Sequence, residues 1–389
     1  MMSDDLIDID LAPAFVHGVA ELEATPLGLL PHRLPAWARA QNTDPQLAMV
    51  EAQPSGVRLA FTTAATTIEL VTHRTVRTYL GLPPRPDGVI ELIVDGRHVA
   101  DDATSGGTTI AIDMATGSAN TAISASHTTR FDGLAAHAKD VEIWLPHNEN
   151  LELVSLRANA DAAPLPTDGR PVWVHHGSSI SHGSNATHPT GTWPAVAARS
   201  TGVELVNLGF GGSALLDPFV ARVIRDADAD VISLKLGINL VNLDLMRLRA
   251  FGPAVHGFLD TIREGHPTTP LVVISPIFCG IHENTPGPGA FDVGALAVGQ
   301  LRFHATGDPA EASAGKLTLT VIREALERIV KDRRETDTNL HYLDGRVLYA
   351  ETDAADYPLP DELHPDAQTH QFIGSRFAAW MTDCGILAD

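Results

Sequence analysis

The chain has 389 residues, 44% hydrophobic and 19% charged, which excludes a disordered segment and suggests two domains in place of one core. Asp and Glu outnumber Lys and Arg by 48 to 27, and the resulting net charge of −21 argues against nucleic acid or anionic membranes as partners. Two cysteines far apart, Cys279 and Cys384, form no disulfide framework or metal motif, and no run approaches the roughly 18 apolar residues of a membrane helix.

The N-terminus, MMSDDLIDIDLAPAF, is acidic and lacks a basic region before an apolar core, so no signal peptide is read and the expected location is cytoplasmic. The first 30 residues carry little pattern. From about residue 30 to 160 apolar residues alternate: Val57, Leu59 and Phe61; Ile68 and Leu70; Ile110 and Ile112; Val141, Ile143 and Leu145. Val89–Val94 and Arg97–Val99 flank Asp95-Gly96, the signature of a two-residue hairpin. Without a convincing amphipathic helix, these strands predict an antiparallel, jelly-roll-like β-sandwich over residues 1–165.

Asp161 to Arg170 is rich in Pro, Asp and Gly and marks a boundary, after which the period changes. Apolar strands are expected at Val172–Val174, Val203–Leu208, Val231–Leu236, Leu271–Ser275 and Leu340–Leu343. Helices lie between them: one opened by Asp217-Pro218, one carrying Phe251, Val255, Phe258 and Ile262, one with Ile322, Leu326 and Ile329, and a closing helix around Phe372–Trp380. The alternation predicts a flavodoxin-like α/β domain over 166–389, a parallel sheet with helices on both faces. Residues 278–315, rich in Pro, Gly and Ala, read as a lid or insertion on the edge where ligands bind.

Four strand ends carry reactive residues: Gly177-Ser178-Ser179, Asn207-Leu-Gly209-Phe-Gly-Gly212, Gly237-Ile238-Asn239 and, near the C-terminus, Asp361-Glu-Leu-His364. A serine at a strand-to-helix turn becomes a nucleophile when a histidine takes its proton, and a carboxylate three residues from that histidine can fix its tautomer. The oxyanion needs donors, for which Gly212, Asn239 and the Ser179 amide are candidates. Rival readings make Ser178 the nucleophile, Asn239 a cap for the helix near Asp244, Gly212 a plain turn residue and Asp361 the N-cap of the last helix. His175, His176, His182 and His188 invite a metal site, but no set has zinc spacing and no metal is expected. Candidate substrate contacts are His182 and Trp193 after the serine turn, and Phe291, Phe303 and His304 in the lid.

These four blocks, in this order, resemble the SGNH (GDSL-type) hydrolase family. The resemblance implies Ser179 as nucleophile, Asp361 and His364 as its partners, and Gly212 and Asn239 in the oxyanion hole. Ser178 stands where an aspartate is usual and Leu240 where one often follows the asparagine. A classical α/β-hydrolase elbow fits less well, because Ser181 occupies the place of its second glycine. With a sandwich in front, the chain is similar to carbohydrate-active esterases and to two-domain SGNH acyltransferases of aromatic polyketide biosynthesis, including the salicylyl-transferring type of tetracycline biosynthesis. The expected function is a serine esterase acting on a small-molecule or sugar ester through an acyl-serine. The alternatives are an acyltransferase serving a natural-product hydroxyl, with acyl-CoA as a candidate co-substrate, and a non-catalytic carbohydrate-binding protein. No dissociable cofactor is expected.

Overall fold

The computed structural model describes residues 5–113, 115–166 and 169–387. The first four residues of the acidic N-terminus, and residues 167 and 168 of the expected linker, lie outside the described residues. The described residues divide into two compact units: the first takes those up to 39, within 48–169 and 187–190, and the second takes 40–47, 170–186 and 191–387. Residues 40–47 therefore fold with the second unit, although they lie within the sequence of the first.

In the first unit the alternating segments pair into two sheets. One is built on Ile68–Tyr79 and Asn150–Ala158, the other on Arg58–Thr63, Lys139–Trp144 and Val89–Val94. Their inward residues, among them Leu59, Phe61, Ile68, Leu70, Leu92, Val141, Ile143 and Leu153, form one buried apolar cluster, the outcome expected when period-2 strands each bury one face. Asp95 and Gly96 have φ of 49° and 75°, both in the left-handed region that a two-residue hairpin of this hand demands. Pairing is antiparallel except where Thr75–Tyr79 runs parallel to Thr108–Ile112. Two short helices, Ala36–Arg39 and Pro45–Glu51, occupy a stretch read as free of helix. They are four and seven residues long, too short for a helical period to show. The first 30 residues contain strands at Ile7–Ile9, Val16–His17 and Glu21–Ala24.

The second unit is doubly wound α/β. Five parallel strands lie in the order Glu204–Gly209, Val172–Gly177, Val231–Lys235, Leu271–Ile274 and Leu340–Leu343. Helices Trp193–Thr201 and Ala367–Asp383 pack together, and Leu248–Gly265 packs with Pro218–Asp226 and Leu319–Arg333. Strands covered on both faces have no polar side to show: every residue of Val231–Lys235 and Leu271–Ile274 is buried. The strand order reverses direction beside Val172–Gly177, so a crevice opens at the carboxyl end of that strand.

Residues 278–315 are not structureless. Gly289–Phe291 pairs with Phe303–Ala305 in a two-stranded ribbon, joined by a turn of helix at Val293–Leu296 that Asp292 caps through the Gly294 and Ala295 N–H groups. Strands of three residues are too short for periodicity to reveal.

Candidate active site

Ser179 opens a single helical turn, Ser179–His182, directly after the strand Val172–Gly177, with Ser178 extended at the N-cap. The turn closes at Gly183, whose φ of 111° suits glycine alone, and Gly183 and Ser184 donate their N–H groups to the Ser179 carbonyl. Gly209, in parallel register with Gly177 on the neighbouring strand, lets the two loops touch: a Cβ there would lie 2.6 Å from the His182 nitrogen.

His364 brings its Nε2 to 2.9 Å from the Ser179 hydroxyl and its Nδ1 to 2.8 Å from Asp361 Oδ2. With the ring proton on Nδ1 and donated to the carboxylate, Nε2 accepts from the serine, the arrangement a general base requires. Asp361 also accepts the N–H groups of Leu363 at 3.0 Å and His364 at 2.6 Å on Oδ1. Burial opposes ionisation of this carboxyl, but the His364 ring, through its hydrogen bond and charge, and these N–H groups outweigh it. The Asp361 pKa is held below its ordinary value. The expectation of an interaction within one turn is met geometrically. The cap of the last helix is Asp366, which accepts from Thr369, and not Asp361.

Gly212 has φ of 76° and follows Asn207, whose side chain bonds the Ser181 carbonyl at 3.0 Å and the Gly209 N–H at 3.0 Å. Asn239 lies on the helical turn Ile238–Asn242 after the third strand in sequence. Its Oδ1 accepts the Ala214 N–H at 3.1 Å, which fixes the amide plane and leaves Nδ2 as its donor. It does not cap the following long helix, which starts after Arg247. Backbone N–H groups on such a turn and a side-chain amide are the kinds of donor an oxyanion needs.

Other expected contacts fare differently. Ser178 is buried and its hydroxyl has no hydrogen-bond partner, whereas Ser179 faces the histidine. Trp193 is fully buried against Trp173, His175 and Phe377, so it is core and not a pocket wall. His182 is likewise buried, its Nδ1 bonded to the Gly209 carbonyl at 3.1 Å, and it serves the packing of the two loops. In the ribbon, Phe303 stands edge-on to His364 at 5.6 Å and Phe291 packs on Phe303 at 5.1 Å. The Phe303 N–H donates to the Asp361 carbonyl at 3.0 Å, tying the ribbon to the Asp–His loop. His304 follows Phe303 on the strand and so takes the opposite face, where it is exposed. Among the described residues no group of His, Cys, Asp and Glu is placed to hold a metal.

Two histidines around the site have structural roles that sequence reasoning missed. His175 bridges Ser181 and Ser233 at 2.7 Å each, and burial drives its pKa well below the usual value, helped by the charges of His176 and Lys235. His370 accepts the Trp193 N–H on Nδ1 and donates from Nε2 to the Ser184 carbonyl, and burial lowers its pKa to about 4. His370 gave no sign in the sequence; His175 was in view only as a candidate metal ligand, and Asn207 as the first residue of its glycine motif.

Residues 170–279 match the family described as GDSL-like lipase/acylhydrolase. No curated protein matches the chain. Among solved structures, it is similar to the salicylyl-acyltransferase SsfX3 from a tetracycline biosynthetic pathway, with 27% identity, 98% of each chain covered and a TM-score of 0.80. A GDSL-like lipase from Bacteroides ovatus shares the fold at 19% identity, 98% coverage of each chain and a TM-score of 0.68. A family two carbohydrate esterase from Clostridium thermocellum, solved with cellohexaose, does so at 14% identity, 86% of this chain, 94% of that one and a TM-score of 0.55.

Proposed function

We propose that this enzyme, which belongs to the SGNH (GDSL-type) hydrolase family, moves an acyl group through an acyl-Ser179 intermediate. The observation that carries the reading is the unbroken relay from Ser179 through His364 to Asp361 at 2.9 and 2.8 Å. In the first half, the Ser179 oxygen bonds to the ester carbonyl carbon as its proton passes to His364 Nε2. The oxyanion is held by the Ser179 and Gly212 N–H groups and Asn239 Nδ2. Collapse breaks the ester C–O bond, and His364 returns the proton to the leaving alkoxide. In the second half an acceptor hydroxyl gives its proton to His364 and takes the acyl carbon, and Ser179 leaves with the proton restored. No metal or dissociable cofactor enters either half.

Water as acceptor makes the protein an esterase of small-molecule or sugar esters, the first reading. Transfer to a hydroxyl of a small molecule, from an ester or from acyl-CoA as co-substrate, is the second. It is favoured by the full-length likeness to an acyltransferase and by the apolar Phe303 ring edge-on to His364, since transfer in place of hydrolysis needs a site that excludes water. A purely carbohydrate-binding role is set aside, since the chain belongs to a family of enzymes. A phosphonate probe tests the chemistry: the wild type should be labelled and Ser179→Ala should not, and equal or absent labelling of both would overturn it. Incubation with an ester series and acyl-CoA, with and without a hydroxylated acceptor, then separates the readings by mass: free acid means esterase, acylated acceptor means transferase.

A further inference from the structure

We infer that Asn185 is a positioning residue for the reaction, a fourth member that ties the Asp361 carboxylate back to the turn carrying Ser179. The inference rests on the reading of Ser179, His364 and Asp361 given above. Asn185 Nδ2 donates to Asp361 Oδ2 at 3.2 Å, on the same oxygen that receives His364 Nδ1. Oδ1 already takes two backbone N–H groups, so with Asn185 the carboxylate has four donors, about its full capacity. Rotating the carboxylate would break several of these bonds at once, and the imidazole is held with it.

The backbone is shaped to deliver this amide. Gly183 and Ser184 both close on the Ser179 carbonyl, Ala186 closes on Gly183, and Asn185 between them has φ of 67°. Few residues other than glycine accept that conformation, and asparagine is among them. His370 holds the preceding peptide through the Ser184 carbonyl at 2.9 Å. The result is a ring: Ser179 to His364, to Asp361, to Asn185, and through two peptides back to Ser179. A shift of the nucleophile turn therefore moves the carboxylate with it, and the serine-to-histidine distance is kept.

Asn185→Gly tests this cleanly, because glycine keeps the left-handed turn and removes only the donor. Loss of one hydrogen bond to an ionised acceptor is expected to lower kcat on a soluble ester about tenfold, with KM unchanged. Asn185→Asp sets a second carboxylate beside Asp361, which favours the imidazolium. The acid limb of the kcat/KM profile should then move up by about one pH unit. Burial lowers the nearby His370 to about 4 and pushes Cys279 up to about 12, outside the acid limb, and Glu362 is exposed, 4.0 Å from Arg302, so the shift reports the new charge. Wild-type kcat in Asn185→Gly, or an unmoved acid limb in Asn185→Asp, overturns the inference. Ser179→Ala run alongside distinguishes the two levels: if it stays active the acyl-serine reading fails, and if it is dead while Asn185→Gly is wild type, only the role of Asn185 fails.

Discussion

Replacing Asp361 with Asn separates orientation from mere contact at this site. The carboxylate accepts on both oxygens: Leu363 and His364 N–H on one, the His364 ring and Asn185 on the other. An asparagine has one acceptor oxygen, and the two fixed backbone N–H groups claim it. Its NH₂ is then turned to His364 Nδ1, which must lose its proton to accept. The ring proton moves to Nε2, the atom that has to receive the Ser179 proton, and base catalysis stops. The anion beside the developing imidazolium is also lost. At about 4 Å between charges and an effective dielectric near 20, that interaction is about 4 kcal/mol. With the tautomer reversed as well, kcat should fall about 10⁴-fold, or about 5 kcal/mol of barrier, the size seen for this change in serine triads. Stopped-time hydrolysis of a p-nitrophenyl ester measures the fall, and near-ultraviolet circular dichroism checks that the fold is kept. Activity within tenfold of wild type in a folded Asp361→Asn would refute the reasoning.

Asn239→Ala removes a proposed oxyanion donor and should lower kcat by about 10² to 10³ with KM little changed, as initial rates on the same ester will show. Phe303→Ala takes away the ring that faces His364 and should raise the ratio of free acid to acylated acceptor, read by mass spectrometry; an unchanged ratio removes the ribbon from the account of water exclusion. His370, with a folded value of about 4 against 6.5, stays neutral where the unfolded chain is protonated. Stability should therefore fall as pH drops from about 6.5 to about 4, by about 3 kcal/mol in all, and the slope measured by urea unfolding should flatten in His370→Gln.

The parallel sheet was legible because buried strands are near-continuous apolar runs, as in Leu271–Ile274, every residue of which is Leu, Val or Ile. The relay was legible because loops at the strand ends of such a sheet converge, so Ser179 and His364, 185 residues apart, could be paired without knowing a distance. The pocket was not. Trp193 looked available from its place beside the serine turn, yet its ring is committed to Trp173 and Phe377 across the helix layer, a contact with no trace in local sequence. His304 and Phe303 are neighbours in sequence, and only the pairing of a three-residue strand decides which of them faces His364. Asn185 was invisible for a related reason: its function lies in a backbone angle and one long-range bond.

The residues that keep the site in shape also set its tolerance to acid. A neutral imidazole has one donor and one acceptor, and His370 uses both, accepting from Trp193 and donating to Ser184. Protonation would turn Nδ1 into a donor facing the Trp193 N–H. His175 is placed the same way, between the hydroxyls of Ser181 and Ser233 in full burial, with Lys235 close enough to depress it further. Hydroxyls can reverse their role and a peptide N–H cannot, so His175 has an escape that His370 lacks. Among the groups that hold the site in shape, as distinct from the base His364 itself, acid should therefore act through His370 on the Ser184 carbonyl and the turn behind Ser179, while the hydrogen bonds of Asp361 favour its charged form.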